Sequence, residues 1–275
     1  MIGTSRKLLK LTAIAACIAG LLIHQPLPAV YAEGYSVPKE HKTKRKLPKA
    51  KASDMSWVNL HNRFPDAFLL HGPRKAKRIA LTFDDAPDAR FTPAILDILA
   101  QYGVCATFFV VGVRAEDNPD LVRRIHREGH IIGNHSYNHA VMSKLTLAQY
   151  RNQILRTDGI LKGIVGYSPH YVRPPYGEVL PQQVKWSGAA GYTIVNWDVD
   201  SNDWRNNPSS RIVLNHIRET LQPGSIVLQH AGGGIGQDLS GTIDALPPLI
   251  ELLRVQGYEL VTLPELLGQP ASRRQ

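Results

Sequence analysis

The chain is 275 residues long, 43% hydrophobic and 20% charged, with a formal net charge of +9. Those values allow one large domain or two small ones and exclude a disordered tail protein, a collagen-like fibre and a polytopic membrane protein. Two cysteines exclude a disulfide-stapled miniprotein and a four-cysteine zinc knuckle.

The excess charge is local. Residues 1–32 carry Arg6, Lys7 and Lys10 and no acid, residues 39–51 hold seven bases against Glu40, and the last 224 residues hold 22 bases and 21 acids. The folded part is therefore nearly neutral and needs no polyanionic partner. Residues 1–32 read as a signal peptide. Three bases precede 13 almost wholly apolar residues, Leu11 to Ile23, too few to span a bilayer comfortably, and Val30 and Ala32 fit the −3 and −1 positions of a cleavage site. An uncleaved anchor and lipidation at Cys17 are the alternatives. Ile14-Ala15-Ala16-Cys17 resembles a lipobox, but the apolar run continues for six residues beyond it. Cleavage after Ala32 predicts a secreted, wall-associated protein whose single thiol is Cys105. That residue lies in the β-run VCATFFVV and reads as a buried small hydrophobe. Residues 33–68 read as a basic linker and lead-in, and 33–65 lack apolar periodicity. The run at 39–51 is either a solvated spacer or a source of weak attraction to anionic lipid or cell-wall polymer. Nucleic acid is not an expected partner, because the protein is exported and no aromatic residue interleaves the bases.

From residue 69 to 275 β-runs and helical patterns alternate. RIALTF (78–83), CATFFVV (105–111), HIIGN, HYVRP, YTIVNW, GSIVLQ and YELVTL are the predicted strands. Helices are predicted from Thr92 to Tyr102, after Asn118-Pro119, and over 146–163, 180–190, 208–222 and 242–257. This predicts an α/β fold, a distorted (β/α) barrel of about seven parallel strands with its active site at the C-terminal strand ends. A doubly wound open sheet is the alternative, but no GxGxxG or P-loop supports it.

Polar residues gather where the predicted strands end: Asp84-Asp85, His135 and His139, Arg173, the group Asp198, Asp200 and Asp203, and His230. In a parallel barrel those ends share one rim. His135-Ser-Tyr-Asn-His139 on a helical turn would place both imidazoles on one face, and one carboxylate would complete a two-histidine, one-carboxylate metal site with open positions. Adjacent Asp84 and Asp85 cannot easily point the same way from a strand end, so one would bind metal while the other stays free as a base. Taken singly, each has a plainer reading. The histidines fit a cap or surface pair, Asp-Asp fits a turn, Arg173 a surface ion pair, His230 a structural residue, and Trp197 and Trp204 ordinary core rather than a sugar-stacking wall.

TFDDAPD, HSYNH, RPPYG, DSNDW and LQH occur in this order. They resemble the five motifs of the polysaccharide deacetylases, carbohydrate esterase family four (the NodB-homology domain), over about residues 76–265. Exported bacterial peptidoglycan N-acetylglucosamine deacetylases are the members most resembled. The resemblance implies that Asp84 is the catalytic base, that Asp85, His135 and His139 hold one divalent metal, usually Zn2+, with Co2+ or another first-row metal open, and that Arg173 orients the base. It further implies that the Tyr176 N–H helps bind the oxyanion, that Asp203 supports His230 as general acid, that Trp204 walls the groove, and that Leu228 lines the acetyl pocket. Ala86 and Ala231 depart from the commonest pattern, where glycine and aspartate stand, and Ala86 is expected to restrict the loop because alanine avoids positive φ. The implied reaction is hydrolysis of the N-acetyl group of N-acetylglucosamine units, with acetate released. Peptidoglycan, chitin oligomers and exopolysaccharide all carry that unit. A catalytically silent wall-binding module and a non-haem iron oxygenase are the competing classes. The extra base Asp84 and the late acid His230 favour hydrolysis.

Overall fold

Strand β2 (Arg78–Ala86) organises the fold through its alternation. Ile79, Leu81 and Phe83 join an outer apolar cluster with residues of α2 (Thr92–Gln101), α4 (Pro119–Arg127), α7 (Ser210–Thr220) and α8 (Ser240–Val255). Ala80 instead joins Phe109, Tyr171, Val195, Ile226 and Val261 in an inner cluster, to which α9 (Leu263–Leu267) adds Leu263 and Leu266. Thr82 and Asp84 follow Ala80 on that inner face, so the interior is apolar at the start of β2 and polar at its end.

The chain is described here over residues 56–273 by a computed structural model. The expected signal peptide, Cys17 and the basic run at 39–51 lie outside the described residues. Every strand pairing is parallel. The order is β1 (Phe68–Leu69), β6 (Thr193–Val195), β5 (Tyr171–Val172), β4 (Ile131–Asn134), β3 (Thr107–Val110), β2, β8 (Ile226–His230) and β7 (Val199–Asp200), with β9 (Glu259–Val261) beside the start of β2. All seven predicted strands occur, and β1 and β7, two residues each, are added at the sheet's two ends. The sheet curls into a distorted (β/α) barrel that is open between β1 and β7. Asp84, Asn134 and His230 sit at or next to the C-terminal ends of their strands, and Arg173 directly follows β5.

Three local expectations change. Residues 57–68, placed by sequence in the lead-in, form α1 (Trp57–Arg63) and the first residue of β1. Ser56 caps the helix through Asn59, Leu60 is buried, and the pairing of Phe68 with Ile194 makes the segment part of the barrel. Cys105 is exposed, because β3 begins only at Thr107 and leaves the cysteine in the irregular segment before it. Helix α4 starts at Pro119 as expected, yet the Asn118 side chain donates back to the Arg114 carbonyl of α3 (Gly112–Asp117) instead of capping α4. Helix α5 (Leu147–Val165) has a capping box, Thr146 with Gln149, and ends on left-handed Gly166. Helix α6 (Pro181–Ala189) completes the outer layer. Among the described residues no helix is long and apolar enough to cross a membrane.

Candidate active site

The two aspartates owe their placement to a bulge. β2 and β3 pair Phe83 with Phe108 and next Ala86 with Val110, so β2 carries one more residue than its neighbour over that interval. The extra residue falls at Asp84-Asp85, and Asp85 adopts φ +64°. Bulges re-aim side chains in this way, and a non-glycine residue held in that region costs roughly 1–3 kcal/mol. As a result Asp84 Oδ2 and Asp85 Oδ1 each lie 3.7 Å from His135 Nε2. The expectation that neighbouring acids cannot point the same way is thereby corrected. The positive φ belongs to Asp85 and not to Ala86, so alanine at 86 meets no backbone demand for glycine. Ala231 is buried, donating its N–H to the Asp84 carbonyl (2.8 Å) and accepting from Thr92 Oγ1 (2.8 Å).

His135 and His139 are not on a helix. The chain leaves β4 through Ser136 at φ +69° and reaches His139 at φ +58°. Ser136 Oγ accepts from the His139 N–H at 3.0 Å, and Gln153 Oε1 of α5 accepts from the N–H groups of Tyr137 and Asn138. This looped route still brings the rings together, centroids 5.1 Å apart. His135 Nδ1 lies 2.7 Å from the Arg173 carbonyl and must donate to it, which leaves the Nε2 lone pair facing Asp85. Burial pushes the His135 pKa down to about 3, keeping the imidazole neutral as a ligand requires. His139 Nε2 is 3.2 Å from Asp85 Oδ1, and one ligand atom from each of the three residues lies within 4.8 Å of the others. Asp85 Oδ1 is buried without a hydrogen-bond partner. An orphaned carboxylate oxygen facing two imidazole nitrogens fits a divalent first-row cation.

Arg173 is fully buried, so the surface-pair reading of it is excluded. Its guanidinium donates to Asp84 Oδ1 and Thr82 Oγ1 (both 2.8 Å), to the Val195 carbonyl (2.9 Å) and to the Asn196 carbonyl (3.3 Å), and it lies 4.1 Å over the Phe109 ring. Asp84 therefore presents one oxygen to Arg173 and the other to His135. Burial holds the Asp84 pKa above its ordinary value, outweighing the downward pull of Arg173, His230 and His139. Arg173 thus acts in the expected direction but does not dominate.

His230 lies beside Asp84 in the β2–β8 register. Its Nδ1 donates to Asp203 Oδ1 at 2.7 Å, and Asp203 Oδ2 accepts from the His230 backbone N–H and from Thr242 Oγ1, both at 2.8 Å. Burial alone would lower the His230 pKa. The Asp203 charge and hydrogen bond, helped by Asp85 and Asp84, push it up to about 9 instead. Although Asp203 is itself buried, the charge and bonds of His230 hold its carboxyl below the ordinary range.

The remaining candidates separate. Leu228 is buried on the same face of β8 as His230 and pairs with Thr82. Tyr176, at φ +61° in the tight turn Pro175–Gly177, is exposed and sets its ring edge-on to His139, 4.9 Å between centroids. Trp204 is exposed under the Arg205 guanidinium, whereas Trp197 packs edge-on against Trp57 at 4.8 Å. Asp198 belongs to the opposite end of β8, bonded to Arg74, Ser225 and the Ile226 N–H, and Asp200 accepts from the Asn202 N–H. Of those three acids, only Asp203 reaches His230. Sequence reasoning missed Trp57, whose Nε1 donates to the Gly177 carbonyl at 3.0 Å alongside Asn196. A Cβ on Gly177 would stand 2.3 Å from the Trp57 ring, so glycine there permits the contact that pins the Tyr176 turn. Thr242 was missed as well. No local signal marks either residue, since both act across more than 35 positions of sequence.

A parallel barrel whose rim joins a two-histidine, one-carboxylate cluster to a buried acid–arginine pair and a carboxylate-held histidine defines a hydrolase with a candidate metal centre. A family profile described as polysaccharide deacetylase matches residues 71–195. The chain is 43% identical over 219 residues to a peptidoglycan-N-acetylglucosamine deacetylase of Bacillus cereus, covering 80% of this chain and 77% of that protein. It is 35% identical over 199 residues to a chitooligosaccharide deacetylase of a Bradyrhizobium species, covering 69% and 90%. The crystal structure of a peptidoglycan N-acetylglucosamine deacetylase in complex with 4-naphthalen-1-yl-N-oxidanyl-benzamide matches with a TM-score of 0.72 at 44% identity, covering 74% of this chain and 94% of that one. The chain belongs to the polysaccharide deacetylase family, carbohydrate esterase family four, whose members are metal-dependent hydrolases.

Proposed function

We propose that this enzyme removes the N-acetyl group from N-acetylglucosamine units of peptidoglycan outside the cytoplasmic membrane, releasing acetate. The observation that carries the reading is the convergence of a carboxylate placed as base and a histidine placed as acid on one cation-fitting cluster. Asp84 is buried beside Arg173, and His230 is held by Asp203. Asp85, His135 and His139 would hold the metal, with Zn2+ the best match to two imidazoles and a carboxylate and Co2+ a workable substitute. Bound there, such an ion supplies Lewis acidity, lowering the pKa of the attacking water and polarising the acetyl carbonyl.

The chain's own residues perform the proton chemistry. Asp84 takes the water proton on the oxygen that Arg173 leaves free. The Tyr176 N–H, presented by the pinned turn, donates to the developing oxyanion. His230 donates its Nδ1 proton in the hydrogen bond to Asp203 and retains it, which leaves the Nε2 proton to pass to the departing amine. Leu228 shelters the acetyl methyl, and Trp204 offers an exposed face for a sugar ring. The products are acetate and a glucosamine unit. A signal peptide ending at Ala32 would deliver the protein to the wall, with residues 39–51 adding weak attraction to anionic polymer.

Incubation with muropeptides should give products lighter by one acetyl per reacting sugar in mass spectra. Loss of acetyl from chitooligosaccharides alone would reassign the substrate, and loss from neither would refute both the peptidoglycan and the chitin assignments. The pH profile tests the acid. His230 must be protonated, and its raised pKa keeps it so until the pH rises through about 9. Asp203→Asn removes the charge that raises that pKa, so the alkaline limb of kcat/KM is expected to move to lower pH. An unmoved limb would remove His230 from the acid role.

A further inference from the structure

The left-handed backbone that aims Asp85 at the histidines is held from behind by a residue outside the five motifs. Arg114, on α3, donates from Nη1 to the Asp85 carbonyl at 3.0 Å and to Asp88 Oδ2 at 3.1 Å, and from Nη2 to the Gly233 carbonyl at 3.0 Å. Asp88 is gripped in turn by the Arg90 guanidinium (2.7 and 3.0 Å), by the Arg90 N–H at 3.0 Å and by the Gly233 N–H at 3.3 Å. Arg90 also donates to the Gly233 carbonyl at 2.8 Å. A Cβ on Gly232 would stand 2.2 Å from both Arg114 Nη1 and the Asp85 carbonyl, so only glycine lets the loop beyond His230 close onto this fork. Three acceptors in the reach of one planar fork call for arginine rather than lysine. The cluster thus ties the turn after β2, helix α3 and the loop after β8 into one unit around the Asp85 carbonyl.

We infer that Arg114, locked by Asp88, is a positioning residue for the metal centre, holding the Asp85 carbonyl so that its carboxylate points at His135 and His139. The inference rests on the metal assignment made under the proposed function. It predicts that Arg114→Met binds zinc about 10–100-fold more weakly than the parent, the range seen when outer partners of metal ligands are removed. The experiment titrates metal-free protein with zinc against a competing chelator, and records the visible absorption of the cobalt-loaded form. Arg114→Met should weaken zinc binding and alter the cobalt spectrum. Arg123→Met, which removes only an exposed pair with Asp120, should change neither. Asp88→Asn should shift both readouts in the same direction as Arg114→Met, and it decides the matter alone if Arg114→Met fails to fold. Parent-like zinc affinity and cobalt spectrum in the folded variants would overturn the role of Arg114 while leaving the metal site intact, provided His139→Ala abolishes binding. Unchanged zinc binding in His139→Ala would overturn the metal assignment and this inference together.

Discussion

Asp84→Asn is expected to lower turnover by about 100-fold or more, the scale of general-base catalysis, while metal content stays at the parent level. The asparagine amide cannot take a proton from water. It can still accept from Arg173 through its carbonyl oxygen, where Asp84 Oδ1 now accepts at 2.8 Å. That retained bond matters for interpreting the result. Arg173 is wholly buried, and stripping a buried charge of its partner costs about 3–5 kcal/mol. The amide keeps the hydrogen bond but not the counter-charge, so some stability is expected to be lost, and a thermal midpoint measured beside turnover separates a chemical defect from a folding one. Asp85, His135 and His139 are untouched, and elemental analysis should find the metal in place. Turnover within about tenfold of the parent would show that another group serves as base, since tenfold is below the usual range for such a residue.

Metal removal is expected to have the larger effect. Prolonged chelation should abolish acetate release, and added zinc or cobalt should restore it. His139→Ala should not recover, because it leaves one imidazole and one carboxylate where three ligands are needed. Its buried neighbours would suffer too. Asp85 Oδ1 has no hydrogen-bond partner, and removing the ring 3.2 Å away leaves it facing His135 alone. Activity persisting in a demonstrably metal-free sample would defeat the three-ligand assignment. Metal content and acetate release measured on the same preparation distinguish this variant from Asp84→Asn, which should lose only the second.

Retained metal in Asp84→Asn would set that residue apart from its neighbour Asp85, although the two acids look equivalent in the sequence. Asp84 differs from Asp85 because the barrel interior brings Arg173 to it from the end of β5, 89 positions away. Asp85 differs because its carbonyl, not its carboxylate, is engaged by Arg114. Neither fact has a local signature.

What the sequence determined by itself is the barrel's periodic frame and the chemical types on its rim. Period-two alternation in RIALTF needs an apolar face against helices and a second face inward, and the helical stretches between strands force parallel crossovers. Parallel strands put all C-terminal ends on one side, so polar residues at those ends had to converge. The tertiary structure alone decided how they converge. A one-residue register shift between β2 and β3 turns both carboxylates the same way, and register belongs to a pair of strands, not to either one. The HSYNH segment follows the loop that Gln153 and Ser136 hold, although its spacing suits a helix equally well. Trp57, Arg114, Thr242 and the burial of Arg173 depend on contacts between distant segments. Their energy comes from excluding water around bonds that no stretch of sequence contains on its own.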